Sequence, residues 1–137
     1  RITIPFYGVG TTASYSISLQ LGTSSGFITT GYNCACTYAY NSNYWGAGAT
    51  TCFQFVPTTP INSVNSLFSG NAYLTLVGTN IWAFSATSAM YAGTSYPNGC
   101  SNANGHLSLG GTLTQVRLIT SNSSDTFSSG TASLMYE

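Results

Sequence analysis

Hydrophobic and polar positions alternate with a period of two along much of this chain, a pattern typical of strands with one buried face. Ile2, Ile4 and Phe6 form the first alternating run. Two longer runs follow, and the second places two cysteines on the same face as three tyrosines. The alternating positions of these two runs are Tyr15, Ile17, Leu19, Leu21, Tyr32, Cys34, Cys36, Tyr38 and Tyr40. The pattern predicts three strands, and the run that ends at Leu21 is expected to be half-buried.

Turn-forming residues divide the rest of the chain into further elements. In NAYLTLVGTNIWAFSAT, residues 78–80 supply the turn of a predicted hairpin, with Trp82 and Phe84 in the core. Pro57 ends a predicted strand in TCFQFVP, whereas the turn formers of YPNGCSNANG predict an irregular loop. The last predicted strands lie in HLSLGGTLTQVRLIT and GTASLMYE.

These elements add up to eight or nine short strands without a helix longer than about two turns. Good helix formers are scarce, since the chain has no lysine and one glutamate. The predicted fold class is all-β, an antiparallel β-sandwich of jelly-roll type, formed by residues 1–137 as a single domain. Arg1 already lies in a strand-like run, so we expect this domain to be the C-terminal part of a longer protein.

Charged residues make up 3% of the chain, and the formal net charge is zero. A surface of this kind has no long-range field to attract a phosphate backbone, so nucleic acid is excluded as a partner. The chain has no apolar run of the roughly 18–20 residues that span a bilayer, so membrane insertion is not expected. Hydrophobic residues account for 43% of the chain, which favours a folded domain over disorder.

The whole chain resembles a family of C-terminal domains from tailed-phage and prophage virion proteins of the tail-fibre type. The similarity begins in RITIPFYGV and continues in ISLQLGTSSGFITTGY and LTLVGTNIWAFS. The most specific match is the family pattern LSGTLTxVRLxTxNxxDTFxxGxxxxxYE. Its positions are occupied here by Leu109, Leu113, Val116, Arg117, Thr120, Asp125, Thr126, Phe127, Gly130, Tyr136 and Glu137. Gly110 and Ser128 depart from the pattern.

The resemblance implies a non-enzymatic virion protein at the tip of a tail fibre or similar appendage, in an extracellular particle. It implies a homotrimer that contacts other virion proteins and binds a host-surface glycan through its loops. Two alternatives remain open: a structural virion component such as a capsid decoration protein, and a secreted surface-filament subunit. The host, the receptor and the position in the virion are not encoded in any motif that we find.

Two stretches that combine aromatic and amide side chains are the candidate glycan-binding residues. Apolar sugar faces stack on aromatic rings, while amides and hydroxyls bind the ring hydroxyls. The first stretch contributes Tyr38, Tyr40, Asn41, Asn43, Tyr44 and Trp45, and the second contributes Tyr91, Tyr96 and Asn98. The alternative is that about half of these rings fill the core or a subunit contact.

Three of the four charged side chains, Arg117, Asp125 and Glu137, lie in the last quarter of the chain. With so few charges available, a buried guanidinium would depend strongly on one of these carboxylates. We therefore predict that Arg117 is at least half-buried in a structural ion pair with Asp125 or Glu137, within one subunit or between two. The alternative is that these residues bind a ligand.

Catalytic groups are few, so we expect no enzyme activity and no cofactor. A glycosidase would have to use Asp125 and Glu137 as its carboxylate pair. Cys100 and His106 are six residues apart, but nothing in the sequence places an orienting acid beside them. We expect His106 to be exposed or at an interface, and we expect no metal site.

The four cysteines, Cys34, Cys36, Cys52 and Cys100, lack the spacing of a metal or redox motif. Residues i and i+2 of a strand stand about 7 Å apart, too far for easy disulfide closure. At least one disulfide is predicted, as Cys34–Cys52 with Cys36–Cys100 or as Cys34–Cys100 with Cys36–Cys52. The alternative is four buried thiols.

Overall fold

Small polar, aromatic and β-branched residues dominate the chain, and they form strands throughout. The computed structural model describes residues 1–13, 16–58, 66–91, 98–122 and 124–137, and these residues contain no helix. The described strands are β1 (Ile2–Thr11), β2 (Ile17–Thr23), β3 (Gly26–Phe27), β4 (Asn33–Tyr40), β5 (Asn43–Ala49), β6 (Phe53–Gln54), β7 (Leu67–Gly78), β8 (Ile81–Tyr91), β9 (Gly99–Ser108), β10 (Gln115–Thr120), β11 (Phe127–Ala132) and β12 (Met135–Tyr136). The predicted all-β class is confirmed.

The strands form two antiparallel sheets. The large sheet has eight strands in the order β11-β1-β7-β8-β9-β4-β5, with β12 also paired to β1. The small sheet has four strands in the order β10-β2-β3, with β6 also paired to β2. The antiparallel sandwich is therefore confirmed. A jelly roll is built from eight strands in two Greek keys, and this unequal division does not confirm that type.

The core lies between the inner face of the large sheet and the small sheet. Aromatic rings join the two layers directly. Phe53 of β6 stacks on Phe84 of β8 at a centroid distance of 4.5 Å, and Phe6 of β1 contacts Phe55 at 5.4 Å. Further members of the core are Ile4, Ile17, Leu19, Leu21, Cys34, Cys36, Tyr38, Phe68, Leu74 and Leu107.

The predicted half-buried strand, β2, is buried on both faces. Ile17, Leu19 and Leu21 pack in the core as expected, but Ser18 and Gln20 on the opposite face are also buried. The reason is that β2 is the centre of the small sheet and its outer face is covered. The Gln20 amide donates to the carbonyl of Thr51, which holds the neighbouring segment over the strand. Tyr15 lies outside the described residues.

The predicted hairpin is confirmed as β7 and β8, with a two-residue turn between Gly78 and Ile81. Asn80 in this turn has a φ of 56°, a left-handed conformation in which asparagine is more common than most residues. The predicted loop YPNGCSNANG is wrong in its second half, because β9 begins at Gly99 and fits between β8 and β4. Pairing on both sides outweighs the turn preference of its Gly and Asn residues.

Candidate functional site

A cavity of about 500 Å³ lies against the outer side of the small sheet, near the end of the chain's most specific motif. Arg117 of β10 and Asp125 of the following turn both line it, together with Gln20, Ser121 and Phe127. Cavities of roughly 300–1,000 Å³ are the usual size for small-molecule sites. Because two of the chain's four formally charged side chains meet here, this cavity is the strongest candidate site among the described residues.

The position of Arg117 follows from strand register. Arg117 stands directly opposite Gln20 in the antiparallel pair of β10 and β2. Its Nε and Nη2 both donate to Gln20 Oε1, at 3.1 and 2.7 Å. The guanidinium also lies over the Phe27 ring, 4.0 Å from its centroid. Gln20 is itself fixed by its bond to Thr51 O at 2.9 Å. The guanidinium is therefore held between a fixed amide and the Phe27 ring.

Asp125 is positioned by a turn that uses its backbone rather than its carboxylate. Asn122 Oδ1 accepts from the backbone N–H groups of Ser124 at 3.2 Å and Asp125 at 3.0 Å, an Asx-type arrangement. The Thr120 hydroxyl lies 3.1 Å from Asp125 O and can donate to it. The carboxylate therefore remains uncommitted.

Two buried polar atoms of this site lack a hydrogen-bond partner within the described part of the chain. They are Asp125 Oδ2 and Ser121 Oγ. Leaving a buried polar group unpaired costs about 1–3 kcal/mol, and more if it is charged. Such groups next to a cavity can bond to a ligand or to water once a small local shift uncovers them.

The guanidinium also retains unused donors. Arg has five N–H groups, and those of Arg117 that are bonded within the described residues are directed to Gln20. Phe127, 41% exposed, adds an aromatic face at the cavity wall. The cavity thus combines free donors, a free acceptor and a ring.

The predicted ion pair within the chain is wrong. Arg117 is exposed rather than half-buried, and its partners are the neutral Gln20 and the Phe27 ring instead of a carboxylate. Strand register explains this result, because it brings Gln20 and not Asp125 opposite the guanidinium. Glu137 lies at a different cavity, beside Arg1 and Trp82. An ion pair between two subunits stays a prediction.

The first predicted aromatic site is divided by strand alternation. Tyr38 is 1% exposed and belongs to the core, where burial raises its pKa to about 12. Tyr40 and Trp45 stack on each other at 4.9 Å and are partly buried against the core. Tyr38 is therefore a structural residue, and Tyr44 and Trp45 both lie in β5.

The other side of the same hairpin is open. Tyr44 is 78% exposed, and Asn41 and Asn43 are exposed beside it. Asn41 adopts a φ of 50° in the two-residue turn between Tyr40 and Asn43. These residues lie at the exposed tip of the β4–β5 hairpin.

The second predicted aromatic stretch lies on the large sheet. Tyr91 and Asn98 line a depression on its outer face, opposite the layer that carries Arg117. Tyr96 is outside the described residues.

The residues of the Arg117 cavity that the sequence interpretation missed are Gln20, Ser121 and Phe127. An alignment of β2 with β10 in the observed register would have indicated Gln20, because it places Gln20 opposite Arg117.

The predicted disulfides are wrong, since all four cysteines are free thiols. Cys100 is exposed, whereas Cys34, Cys36 and Cys52 are buried. Both proposed connectivities required Cys100, and its side chain stands on the outer face of the large sheet while Cys34 and Cys36 face inward. Burial raises the pKa of Cys34 to about 11 and that of Cys36 to about 12, so both thiols stay protonated at neutral pH.

His106 is exposed on β9, as expected. Within the described ranges, no group of three or more His, Cys, Asp and Glu side chains is arranged to hold a metal ion. A search of the same residues finds no helix with the length and apolar character needed to cross a membrane.

Comparison of the chain with protein-family models, with curated proteins and with solved structures gave no match. The resemblance to tail-fibre domains therefore depends on the quoted residues alone and stays a prediction.

Proposed function

We propose that this domain binds a glycan without altering it chemically, and that Arg117, Asp125 and Phe127 form its principal site. The observation that carries the proposal is the shared cavity, in which guanidinium donors and an unpaired carboxylate are held apart by separate hydrogen-bond networks. Two opposite charges that do not neutralise each other can each bind a hydroxyl group of the same ligand.

The chemistry of the cavity favours a polyhydroxylated ligand over an ion. A hydroxyl group both donates and accepts, so neighbouring sugar hydroxyls can donate to Asp125 and accept from Arg117. Phe127 offers a face on which an apolar side of a sugar ring can stack. The opposite charges cancel at a distance, which gives a simple anion or cation little advantage.

A binding role is favoured over hydrolysis by the placement of the carboxylates. Glycosidases need two carboxyl groups on either side of one bond. Asp125 and Glu137 line different cavities, so they do not form such a pair within this chain.

The biological setting is proposed from the sequence resemblance. In this proposal the domain is the tip of a phage tail fibre or related appendage, located in the virion. It acts as a homotrimer with other virion proteins and attaches to the host surface.

A structural virion role is the second candidate, and one observation favours it. The β7–β8 turn presents the exposed side chains of Leu76, Val77 and Ile81. An exposed apolar group of this kind is typical of a contact between proteins. The same feature would suit a surface-filament subunit.

The test is a glycan-array screen with purified protein, followed by calorimetric titration of the best-binding glycan. Asp125→Asn keeps the size of the side chain but removes its charge, and it should weaken binding at least tenfold. Glu137→Gln is the matched control, because it removes the same charge at another cavity and should change affinity less than twofold. Equal effects of the two substitutions, or no glycan bound by the wild type, would refute the proposal.

A further inference from the structure

The outer face of the large sheet has a depression of about 470 Å³ on the side of the domain away from Arg117. Two tyrosines at this depression are unusually open to solvent: Tyr7 is 76% exposed and Tyr91 is 52% exposed. Asn98 and Ser69 lie beside them. Exposed aromatic rings around a concave surface with a few polar groups indicate a binding site more than they indicate a stabilising contact.

A β-bulge places Tyr7 at this depression. The register between β1 and β7 shifts between Phe6 and Val9, and Gly8 within the shift has a φ of +61°. Gly8 N donates to Ser69 Oγ at 3.0 Å, and Ser129 Oγ donates to Gly8 O at 3.0 Å. Bulges of this kind redirect a side chain next to a functional site.

The bulge is also held by the neighbouring strand β11. A Cβ atom at Gly130 would lie 2.5 Å from the backbone of Gly8 and Val9, so a side chain cannot be accommodated there without movement. The two glycines therefore allow β11 to pack closely against the bulge. The close packing fixes the backbone from which the Tyr7 ring projects.

The depression continues along the sheet as a groove. A shallower depression of about 360 Å³ shares Ser69 and Ala89 with the first and extends to Cys100 and Asn102. The residues that line both depressions are uncharged, and those of the second are all small or polar. The groove thus has an aromatic end and a floor of small, uncharged side chains.

We propose that this groove is a second glycan subsite, which takes an extended neutral oligosaccharide. Tyr7 and Tyr91 project from strands on either side of β7, which separates them by about two strand spacings, roughly 10 Å. This span suits two sugar rings that are separated by one intervening ring, with one of them on each tyrosine. The Asn98 side chain can then bind a ring hydroxyl beside the tyrosines, and the Asn102 side chain can bind one further along the groove.

The inference depends on the proposed glycan-binding function, but it concerns a different surface. A neutral ligand is favoured over a charged one because the lining supplies no charge to pair with it. Tyrosine suits this role since its ring stacks on apolar sugar faces while its hydroxyl bonds to polar groups.

The position of Cys100 supplies a direct assay. Its thiol is exposed in the groove, whereas the other three cysteines are buried. We expect a linear neutral tetrasaccharide to slow the alkylation of Cys100 by a maleimide at least fivefold. The probes are the β-1,4-linked glucose, α-1,4-linked glucose and β-1,4-linked N-acetylglucosamine tetrasaccharides.

Substitutions at the tyrosines test the geometry, and both side chains are exposed enough for the variants to fold. Tyr7→Ala and Tyr91→Ala should each lower the affinity for the protecting tetrasaccharide at least tenfold. Tyr7→Phe keeps the ring and should stay within threefold of the wild type. Circular dichroism and thermal unfolding confirm that each variant is folded.

The outcomes separate this inference from the proposed function. If Asp125→Asn abolishes array binding and no tetrasaccharide protects Cys100, the groove inference fails while the Arg117 cavity stands. Protection that survives Asp125→Asn but is lost in Tyr7→Ala supports the groove independently. Protection of Cys100 in the absence of sugar, together with a dimer by light scattering, would overturn the inference and show that a second copy covers the groove.

Discussion

The contact between Arg117 and Gln20 leads to a quantitative prediction, because it replaces the ion pair that the sequence indicated. Arg117→Ala removes two hydrogen bonds to one amide oxygen and the stacking on Phe27. Hydrogen bonds to charged groups contribute about 1.5–3 kcal/mol, and an exposed cation–π contact contributes about 0.5–1 kcal/mol. Since the guanidinium is exposed and its two bonds share one acceptor oxygen, we count them as a single contact at the low end of these ranges, and we expect a loss of about 2 kcal/mol in the free energy of unfolding.

The pairwise part of this energy can be isolated with a double-mutant cycle. Gln20→Ala also breaks the bond to Thr51, so the single variant should be more destabilising than Arg117→Ala. We expect a coupling energy between the two side chains of about 1–1.5 kcal/mol, within the usual range for contacting residues. Arg117→Lys should lie between wild type and Arg117→Ala, because an ammonium group cannot reproduce the planar two-bond contact.

Urea denaturation followed by tryptophan fluorescence provides the assay. With a typical m-value of about 1–3 kcal/mol/M, a loss of 2 kcal/mol moves the midpoint by roughly 1 M at constant slope. A coupling energy below about 0.5 kcal/mol would refute the reasoning, since it would mean that Gln20 does not hold the guanidinium. The guanidinium would then be mobile, and its use as a preorganised donor in the cavity would lose its basis.

Two further predictions concern stability. Trp45→Ala should destabilise the fold by about 2–3 kcal/mol, somewhat less than loss of a fully buried tryptophan, because the ring stacks on Tyr40 and packs on the core. The adjacent Tyr44→Ala should change the free energy of unfolding by less than about 0.5 kcal/mol. Equal losses for the two variants in urea titrations would contradict the assignment of Trp45 to the inner face and Tyr44 to the outer face. The free energy of unfolding should also fall as pH rises from about 9 to 12, since burial raises the pKa of Tyr32 from 10.0 to about 12 and that of Cys36 from 9.0 to about 12. The native state then retains protons that the unfolded chain releases, so flat stability across that range, measured by urea titration at each pH, would rule out this burial effect.

Much of the fold could be predicted from the sequence because its signals were local and periodic. Alternation in Cys34, Cys36 and Tyr38 identified the buried face of β4, and the turn residues identified the hairpin of β7 and β8. Strand β9 could not be predicted in this way, because its Gly and Asn residues favour turns. Its strand conformation depends on pairing with β8 and β4, which are distant in sequence.

The charged residues of the candidate site were singled out from the sequence, but they were assigned to a structural ion pair, with ligand binding as the alternative. The cluster of charges near the end of the chain was evident, and Arg117 and Asp125 do meet at one cavity. Their relation depends on the register of β10 against β2, which joins positions 97 residues apart and is not written in either strand alone. The bulge that exposes Tyr7 likewise depends on a contact between Gly8 and Gly130.

The distribution of charge sets what kind of ligand the domain can select. With a net charge of zero and 3% charged residues, the surface provides little long-range attraction, so recognition must depend on hydrogen bonds and stacking at contact distance. In the proposed binding mode, the Arg117 cavity discriminates by the spacing of donors and acceptors, and the Tyr7 groove by the shape of apolar faces. Binding to both surfaces should therefore change little between low and physiological salt, unlike binding to a polyanion, whose affinity falls steeply with salt. Sugars fit the proposal for both surfaces because one molecule carries dense hydroxyl groups on its edge and an apolar face on its ring.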